Sequence, residues 1–486
     1  MPAFPQSFTS TVSHWQETNR GPTSLWSHGR DAKLPSGVVD YVIVGAGATG
    51  ASLAYQLSSP GAGADGKSIV LLDAKDVASC ASGRNGGHVA PRAWAIFPLL
   101  MAPLEKGGGG LNAEQVLDII FFEQDNLKLV DSIIKREGLA VDFWHGYRCE
   151  VLNTPESAAD NLRNFQLLQK LVANSPKYRH RKVDWTVITD PDEAKRLSRV
   201  NDAVACNRVP SGSWHPHRGV TALLRLALAS TAANVQFFSW APVAGITTAN
   251  GLVSVDCGAR GVITARQVVI ATNAYTRHLL PETQDLLIPR LAQACRVVPP
   301  ASYAGPRGLS TTYTVQDGPY LIQTPNSGLI FGPYPLIDEP ERVFNVEDDS
   351  YTTPGVHAWL ESWCRDHFIN WGKESAGEGL VEHWSGVICQ SIDLRPFVGA
   401  VPGRPGVFIS AGYSGHGMAQ LVNITRGLVN QLRTGQWDDA IPRSFALTES
   451  RMERARAKAV HPLDYEKRGV TLRYFNGTVS DEVANL

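Results

Sequence analysis

Charge is scarce in this 486-residue sequence: Asp, Glu, Lys and Arg make up 19% of it, against roughly 25% in an average soluble protein. The 45 basic and 46 acidic residues leave a net charge of −1. No basic field exists of the kind that would hold nucleic acid or an anionic membrane. Long apolar runs are missing too. None reaches the ~18 residues of a membrane span, and the most hydrophobic stretch, 38–57, carries Asp40 and three glycines. The seven cysteines, at 80, 149, 206, 257, 295, 364 and 389, form no CxxC pair. That spacing argues against a disulfide framework or a zinc motif. Residues 1–37 are polar and rich in Ser, Thr and Pro, without the apolar core of a signal peptide. The final Ala484-Asn485-Leu486 is similar to the peroxisomal Ser-Lys-Leu address but lacks its basic residue. These absences predict a soluble cytoplasmic protein, with peroxisomal import as the alternative.

Regular elements are legible at both ends. Val38–Val44 is β-branched and apolar, the pattern of a buried parallel strand. A glycine-rich turn and a helical pattern over 51–57 follow it, and 68–73 reads as a second buried strand. The span 112–139 predicts a long amphipathic helix, with Asn112 as cap and Gln115 three residues on. A strand is expected at 147–153 and helices at 156–173 and 219–231. Further strands are expected at 235–239, 252–257 and 267–271, and then the pattern changes. From 281 to 384 it becomes short-stranded, aromatic and Pro-rich, which suggests an antiparallel sheet. A buried strand at 407–410 and a helix at 418–432 return to the first style. The chain is too long for one core, and strand–helix–strand signals bracket a middle of different character. Interleaved domains are therefore expected.

Three short segments carry the chemistry. Gly45-Ala46-Gly47-Ala48-Thr49-Gly50 sits between a strand and a helix, and Asp73 ends the next strand, with Ala74 after it. Such glycines allow a tight turn, close backbone approach to a pyrophosphate, and helix-on-strand packing; the acid accepts from a ribose hydroxyl. The second segment, Ser82-Gly83-Arg84-Asn85-Gly86-Gly87-His88, has small residues that would lie against a long flat ligand. Its Ser82, Arg84 and Asn85 offer donors to phosphate. The third, Gly412-Tyr413-Ser414-Gly415-His416-Gly417-Met418, is another strand–helix junction. Its backbone N–H groups and helix N-terminus suit an electron-rich ring.

Together these segments resemble the FAD-dependent amine and amino-acid oxidase superfamily, which includes D-amino-acid, glycine and sarcosine oxidases. The Gly-Arg-Asn-Gly-Gly and Gly-His-Gly-Met-Ala motifs are most similar to its γ-glutamylputrescine oxidase branch. Lesser matches are Val243, in Pro242-Val243, and Ala271, in the strand that the family places beside the adenine. The resemblance runs from 38 to 435. It implies an α/β protein: a Rossmann-like FAD-binding domain with an interleaved antiparallel-sheet (α+β) substrate domain. Expected boundaries are a leader at 1–37, FAD-binding segments at 38–100, 205–280 and 385–440, substrate segments at 101–204 and 281–384, and a C-terminal extension at 441–486. The implied reaction is hydride transfer from the carbon of an amine or amino-acid C–N bond to flavin, giving an imine. O2 would then reoxidise the flavin to yield H2O2. The alternatives are a dehydrogenase with another acceptor, or a FAD-binding protein without catalysis. A small-molecule amine or amino acid is the expected partner, with no nucleic acid and no membrane.

Departures from the family pattern sharpen these expectations. Sarcosine oxidases carry a Lys two residues after Gly-His-Gly, where this chain has Ala419. Some relatives attach FAD through a His where this chain has Asn85, so non-covalent FAD is expected. No Lys occurs across the 177 residues 196–372, the region from which sarcosine oxidases take the lysine that promotes reaction with O2. His88 or His416 would have to serve instead. Four residues are candidates for catalysis: His88, Tyr413, His416 and Arg395. His416 could contribute its backbone rather than its ring. Tyr413 could line the substrate cavity or be core. Arg395 could grip a carboxylate or form a salt bridge with Asp393. Trp384, Tyr320 and Tyr334 could form an aromatic wall or simply pack a sheet. The Trp214-His215-Pro216-His217 cluster is read as a turn, so no metal site is expected, and 451–458 is read as a solvated helix face.

Overall fold

The computed structural model describes residues 10–106, 108–334 and 336–458. The 484–486 ending lies outside the described residues. Two sheets organise the fold. The first runs Phe397–Ala400, Val407–Ala411, Val262–Ile270, Val38–Val44, Ser68–Leu72 and Asn234–Phe238, parallel throughout except for its first pair. Gly245–Ala249 and Leu252–Asp256 extend it as a hairpin. Strand alternation sends Tyr41, Ile43, Ile69 and Leu71 to a core shared with the helices Ala48–Leu57, Ala113–Glu137, Pro216–Leu228 and Leu421–Thr434. Val42, Val44, Val70 and Leu72 face the opposite core. Burial on both faces explains why these strands are continuously apolar.

The second sheet takes strands from three parts of the chain. Its order is Gly379–Ser391, Leu287–Val298, Leu329–Pro333, Pro319–Gln323, Thr312–Val315, Trp144–Leu152, Ala205–Ser213 and His88–Val89, with Thr186–Ile188 on the edge of Ala205–Ser213. It is antiparallel apart from one junction: Arg148–Val151 runs parallel to Thr312–Val315 where the two parts of the chain meet. The expected boundary at 204/205 does not match the pairing. Ala205–Ser213 lies in full register against Trp144–Leu152 in the second sheet. Gly379–Ser391 likewise runs through the expected boundary at 384/385. Periodicity reports that a strand exists, not which strand it pairs with.

The polar leader is more structured than its composition suggests. The short helix His14–Glu17 has a complete capping box between Ser13 and Gln16. Trp15, 2% exposed, packs with Ala294, Ile322, Ile330 and Trp384. The expected solvated face near the end also needs correction. Arg451, on the helix Glu449–Lys458, is buried and pairs with Asp393 at 2.8 Å. It also donates to the carbonyls of Arg395, Pro396 and Phe445. A four-residue basic count cannot show that one member turns inward.

Asp393 thus sits between two guanidiniums, Arg451 and Arg395, with Arg395 at 2.7 Å. Burial pushes its carboxyl up, but the two arginines more than reverse this and hold it well below the carboxylate range. Removing it leaves two buried cations uncompensated. Asp393→Ala should therefore lower the unfolding free energy by about 3–5 kcal/mol, read from urea unfolding curves at pH 7. Because the folded value is depressed, the stabilisation is complete above the ordinary value of 3.8 and fades as the pH falls below it. The difference between wild type and variant should shrink in acid.

Candidate functional site

Two adjoining cavities lie between the sheets. The first, of about 530 Å³, is bordered by Gly45, Gly47, Asp73, Val243, Ala271 and Tyr413. At its head the strand Val38–Val44 ends and the helix Ala48–Leu57 begins. Gly45 has φ +109°, and a Cβ on Gly50 would stand 1.9 Å from the carbonyl oxygen of Gly45. The turn closes only with glycine at both places. Asp73 accepts from the Ala46 N–H at 2.7 Å and the Lys75 N–H at 2.9 Å. Burial pushes its carboxyl up to about 6 against those two bonds. Ser82 Oγ accepts from the Ala48 N–H at 2.8 Å, which joins the second motif to the first. Tyr413 ties in the third: its hydroxyl meets Thr49 Oγ1 at 3.1 Å and Ser410 Oγ at 2.7 Å. It borders this cavity rather than the second one.

The second cavity, of about 290 Å³, shares Ala81, Asn85, Ile388, Gly415 and Met418 with the first. His88, Arg92, Arg148, Glu150, Arg290 and His416 face it. Burial, with Arg148 and His416 adding to it, pushes His88 down to about 3. Its Nε2 is buried without a hydrogen-bond partner among the described residues. The His416 ring is engaged: Nε2 lies 3.0 Å from Glu123 Oε2. The same carboxylate accepts from Arg92 Nη1 at 2.9 Å and Gln420 Nε2 at 2.6 Å. Burial raises Glu123, but His416 and Arg92 overcome it and hold the group at about 2. Burial lowers His416, and Glu123 opposes that shift. Tyr320 and Tyr334 meet edge to face at 5.4 Å on one wall. Trp384 is core beneath them, donating to the Arg84 carbonyl.

The remaining sequence candidates sort by place. Ala48, Thr49, Ala74, Ser82 and Gly417 border the first cavity, and Gly86 the second. Ala46 turns its N–H to Asp73, Gly83 packs against Ala78 and His217, Gly87 against Ile322, Trp214 and Trp15, and the Gly412 N–H donates to Asn273 Oδ1. The Arg84 guanidinium is engaged by protein groups, with Asp349 Oδ2 at 3.7 Å. It donates to the carbonyls of Ser79 and Ser385 and to Thr11 Oγ1. The Asn85 amide closes its own loop on Ala81, Ser82 and Gly87. Arg395 borders neither cavity; its partner is Asp393. His215 and His217 serve local bonds to Thr18, Arg218 and Asn19, which leaves that cluster structural.

Arg92, Glu123, Arg148, Glu150 and Arg290 were not anticipated. Glu123 did carry a signal, since it interrupts the apolar stripe Val116, Ile120, Leu127 and Val130 of its helix, and an acid there must be paired inside. Arg148 and Glu150 share one face of a strand by alternation and bond each other. Arg290 carried none.

The fit to a flavin dinucleotide is thus a glycine turn with an acid at the next strand end, leading into a second cavity with an orphaned imidazole. The family model for FAD-dependent oxidoreductases matches residues 40–427. Comparison with curated protein sequences finds no match. Among solved structures, glycine oxidase from Geobacillus kaustophilus is similar at TM-score 0.65 and 20% identity, over 85% of this chain and 98% of that one. L-proline dehydrogenase from P. horikoshii gives 0.66 and 17%, over 90% and 99%. L-amino acid deaminase from Proteus vulgaris gives 0.66 and 18%, over 88% and 97%. At these identities the likeness is one of fold.

Asp73 yields a pH test. As a carboxylate it would be a strong acceptor for a ribose hydroxyl; protonated, it would be a much weaker one. FAD should bind with constant affinity above pH 6 and weaken by up to about tenfold per unit below it, measured by fluorescence titration of the apoprotein. Asp73→Asn should bind more weakly at pH 7.5 and show no such inflection.

Proposed function

The chain belongs to the family of FAD-dependent oxidoreductases, and from that premise we propose that it oxidises the C–N bond of a carboxylate-bearing amine or amino acid to an imine. One observation carries the reading: Arg290 faces the second cavity without a counter-ion. Arg92 is paired with Glu123 and Arg148 with Glu150. No carboxylate stands within 4.0 Å of the Arg290 guanidinium among the described residues, and its Nε is buried and unbonded. A guanidinium so placed offers a planar fork to a carboxylate. The fold neighbours named above, a glycine oxidase, a proline dehydrogenase and an amino acid deaminase, act on molecules that carry one.

When bound non-covalently, FAD supplies the acceptor for the hydride. The protein's part is binding, orientation and exclusion of water. Asp73, the 45–50 turn and the helix N-terminus at Ala48 would hold the dinucleotide, with Ser82, Ala271 and Tyr413 beside it. Gly415 to Met418 would border the ring. Arg290 fixes one end of the substrate. His88, neutral at physiological pH, borders the same cavity without repelling the amine. Burial of that amine favours its uncharged form, from which a hydride leaves more readily.

A second observation bears on the electron acceptor. No lysine borders the second cavity among the described residues, and burial keeps both His88 and His416 toward the neutral form. Arg92 and Arg148 are paired with acids and Arg290 is taken by the substrate carboxylate, so no free cation of the kind that speeds reduction of O2 is left beside the ring. We therefore favour an acceptor other than dioxygen.

Anaerobic mixing with an amine and amino-acid panel should bleach the bound flavin for carboxylate-bearing members. No bleaching by any member would remove the proposed reaction. Arg290→Ala should raise KM for the same substrate by about 10- to 150-fold, the range of a charged hydrogen bond worth 1.5–3 kcal/mol, while FAD stays bound. Stopped-flow mixing of the reduced protein with air should give reoxidation over minutes. A sub-second half-time would make it an oxidase that releases H2O2.

A further inference from the structure

We propose that His14, Glu17 and Glu382 form a divalent-cation site where the N-terminal segment meets the second sheet. One ligand atom from each lies within 4.8 Å of the others. His14 is 6% exposed, and its Nδ1 has no hydrogen-bond partner among the described residues. A buried ring nitrogen without a partner is a costly thing to retain. Glu382 Oε2 stands 3.6 Å from it, too far for a good hydrogen bond. That spacing suits a shared metal. Two ligands bound at about 2.0–2.1 Å along tetrahedral directions stand roughly 3.3 Å apart.

The surroundings hold the three groups in place. His14 and Glu17 are three residues apart on the helix His14–Glu17, hence on one side of it. Arg296 Nη1 takes the other oxygen of Glu382, Oε1, at 3.2 Å, which leaves Oε2 turned toward His14. Two carboxylates against one guanidinium leave one negative charge for the cation. Glu17 is exposed, so an ion can enter and a water can complete the shell. One imidazole with two carboxylates suits Zn²⁺, Co²⁺ or Mn²⁺ better than the hard cations Ca²⁺ and Mg²⁺, which prefer oxygen alone.

The consequence reaches the cofactor cavity. The residues flanking His14 grip the second motif and the turn before it: Ser13 Oγ donates to the Gly83 carbonyl, Trp15 Nε1 to that of Asn85, and Gln16 Nε2 to that of Ser79. Glu382 belongs to the strand Gly379–Ser391. A cation here would tie the segment that clasps the motif to the second sheet, as a structural staple.

The test uses the full-length flavoprotein, stripped with chelator, desalted and titrated with ZnCl₂ in a calorimeter. One saturable site is expected in the wild type. Glu17→Gln, at an exposed position, should weaken it at least as much as losing an outer-shell partner, about 10- to 100-fold, and Glu382→Gln should do the same. The thermal midpoint should rise with Zn²⁺ in the wild type and not in Glu17→Gln. His357 and His383, whose Nδ1 atoms lie 3.2 Å apart, are the rival imidazole pair, so His357→Ala should bind as the wild type does. Absence of saturable binding to the wild type overturns the site, as does undiminished binding by Glu17→Gln or loss of binding in His357→Ala.

Discussion

A carboxylate with no solvent exposure, Glu123, joins three parts of the chain that are far apart in sequence. It takes Arg92 from the segment after the second motif, His416 from the third motif, and Gln420 ahead of the last long helix. A buried ion needs such company, because desolvation costs several kcal/mol unless hydrogen bonds replace the lost water. The same need makes the arrangement specific. If the helix Ala113–Glu137 shifted by one residue, the carboxylate would face apolar core and His416 would lose its tether. The position of the third motif over the cavity therefore depends on a helix that contributes no side chain to the cavity wall at that point.

The second motif is held by a different route. Its carbonyls at Gly83 and Asn85, and that of Ser79 just before it, are taken by Ser13, Trp15 and Gln16. Its Arg84 reaches across to Ser385 in the second sheet. A glycine-rich loop has high conformational entropy, and side-chain donors from outside limit it. The N-terminal segment and the strand Gly379–Ser391 thus act as the two jaws that keep this loop in one shape between the cavities.

What could be read from sequence follows from which interactions are local. The strand–turn–helix at 38–57 was legible because its strand alternation, glycine spacing and helix pattern all depend on neighbours a few residues away. The capping box at Asn112 and Gln115 is local in the same sense, and both its bonds are present. The segment 205–213, expected among the FAD-binding stretches, pairs in the second sheet with a strand some sixty residues earlier, which no local pattern reports. Arg395 and Arg84 looked like ligand-binding cations because their actual partners, Asp393 and Thr11 with Ser385, are set only by tertiary folding. The aromatic trio split for the same reason, with Tyr320 and Tyr334 on a cavity wall and Trp384 beneath it.

The shortage of charge noted at the outset takes on meaning inside the fold. Several of the ionic groups are not on the surface at all. Arg92 with Glu123, Arg148 with Glu150, Arg277 with Glu347, and Arg395 and Arg451 with Asp393 are all at most a tenth exposed. Each such cation is matched, as electrostatics in a poorly solvated interior demands. Arg290, half-buried over the Phe344 ring, has no acid of its own among the described residues where it faces the second cavity. A guanidinium without an acid leaves charge uncompensated in a poorly solvated place, and an anion arriving there offsets it as it binds. The proposed substrate carboxylate would thus satisfy the constraint that the rest of the interior meets with its own acids.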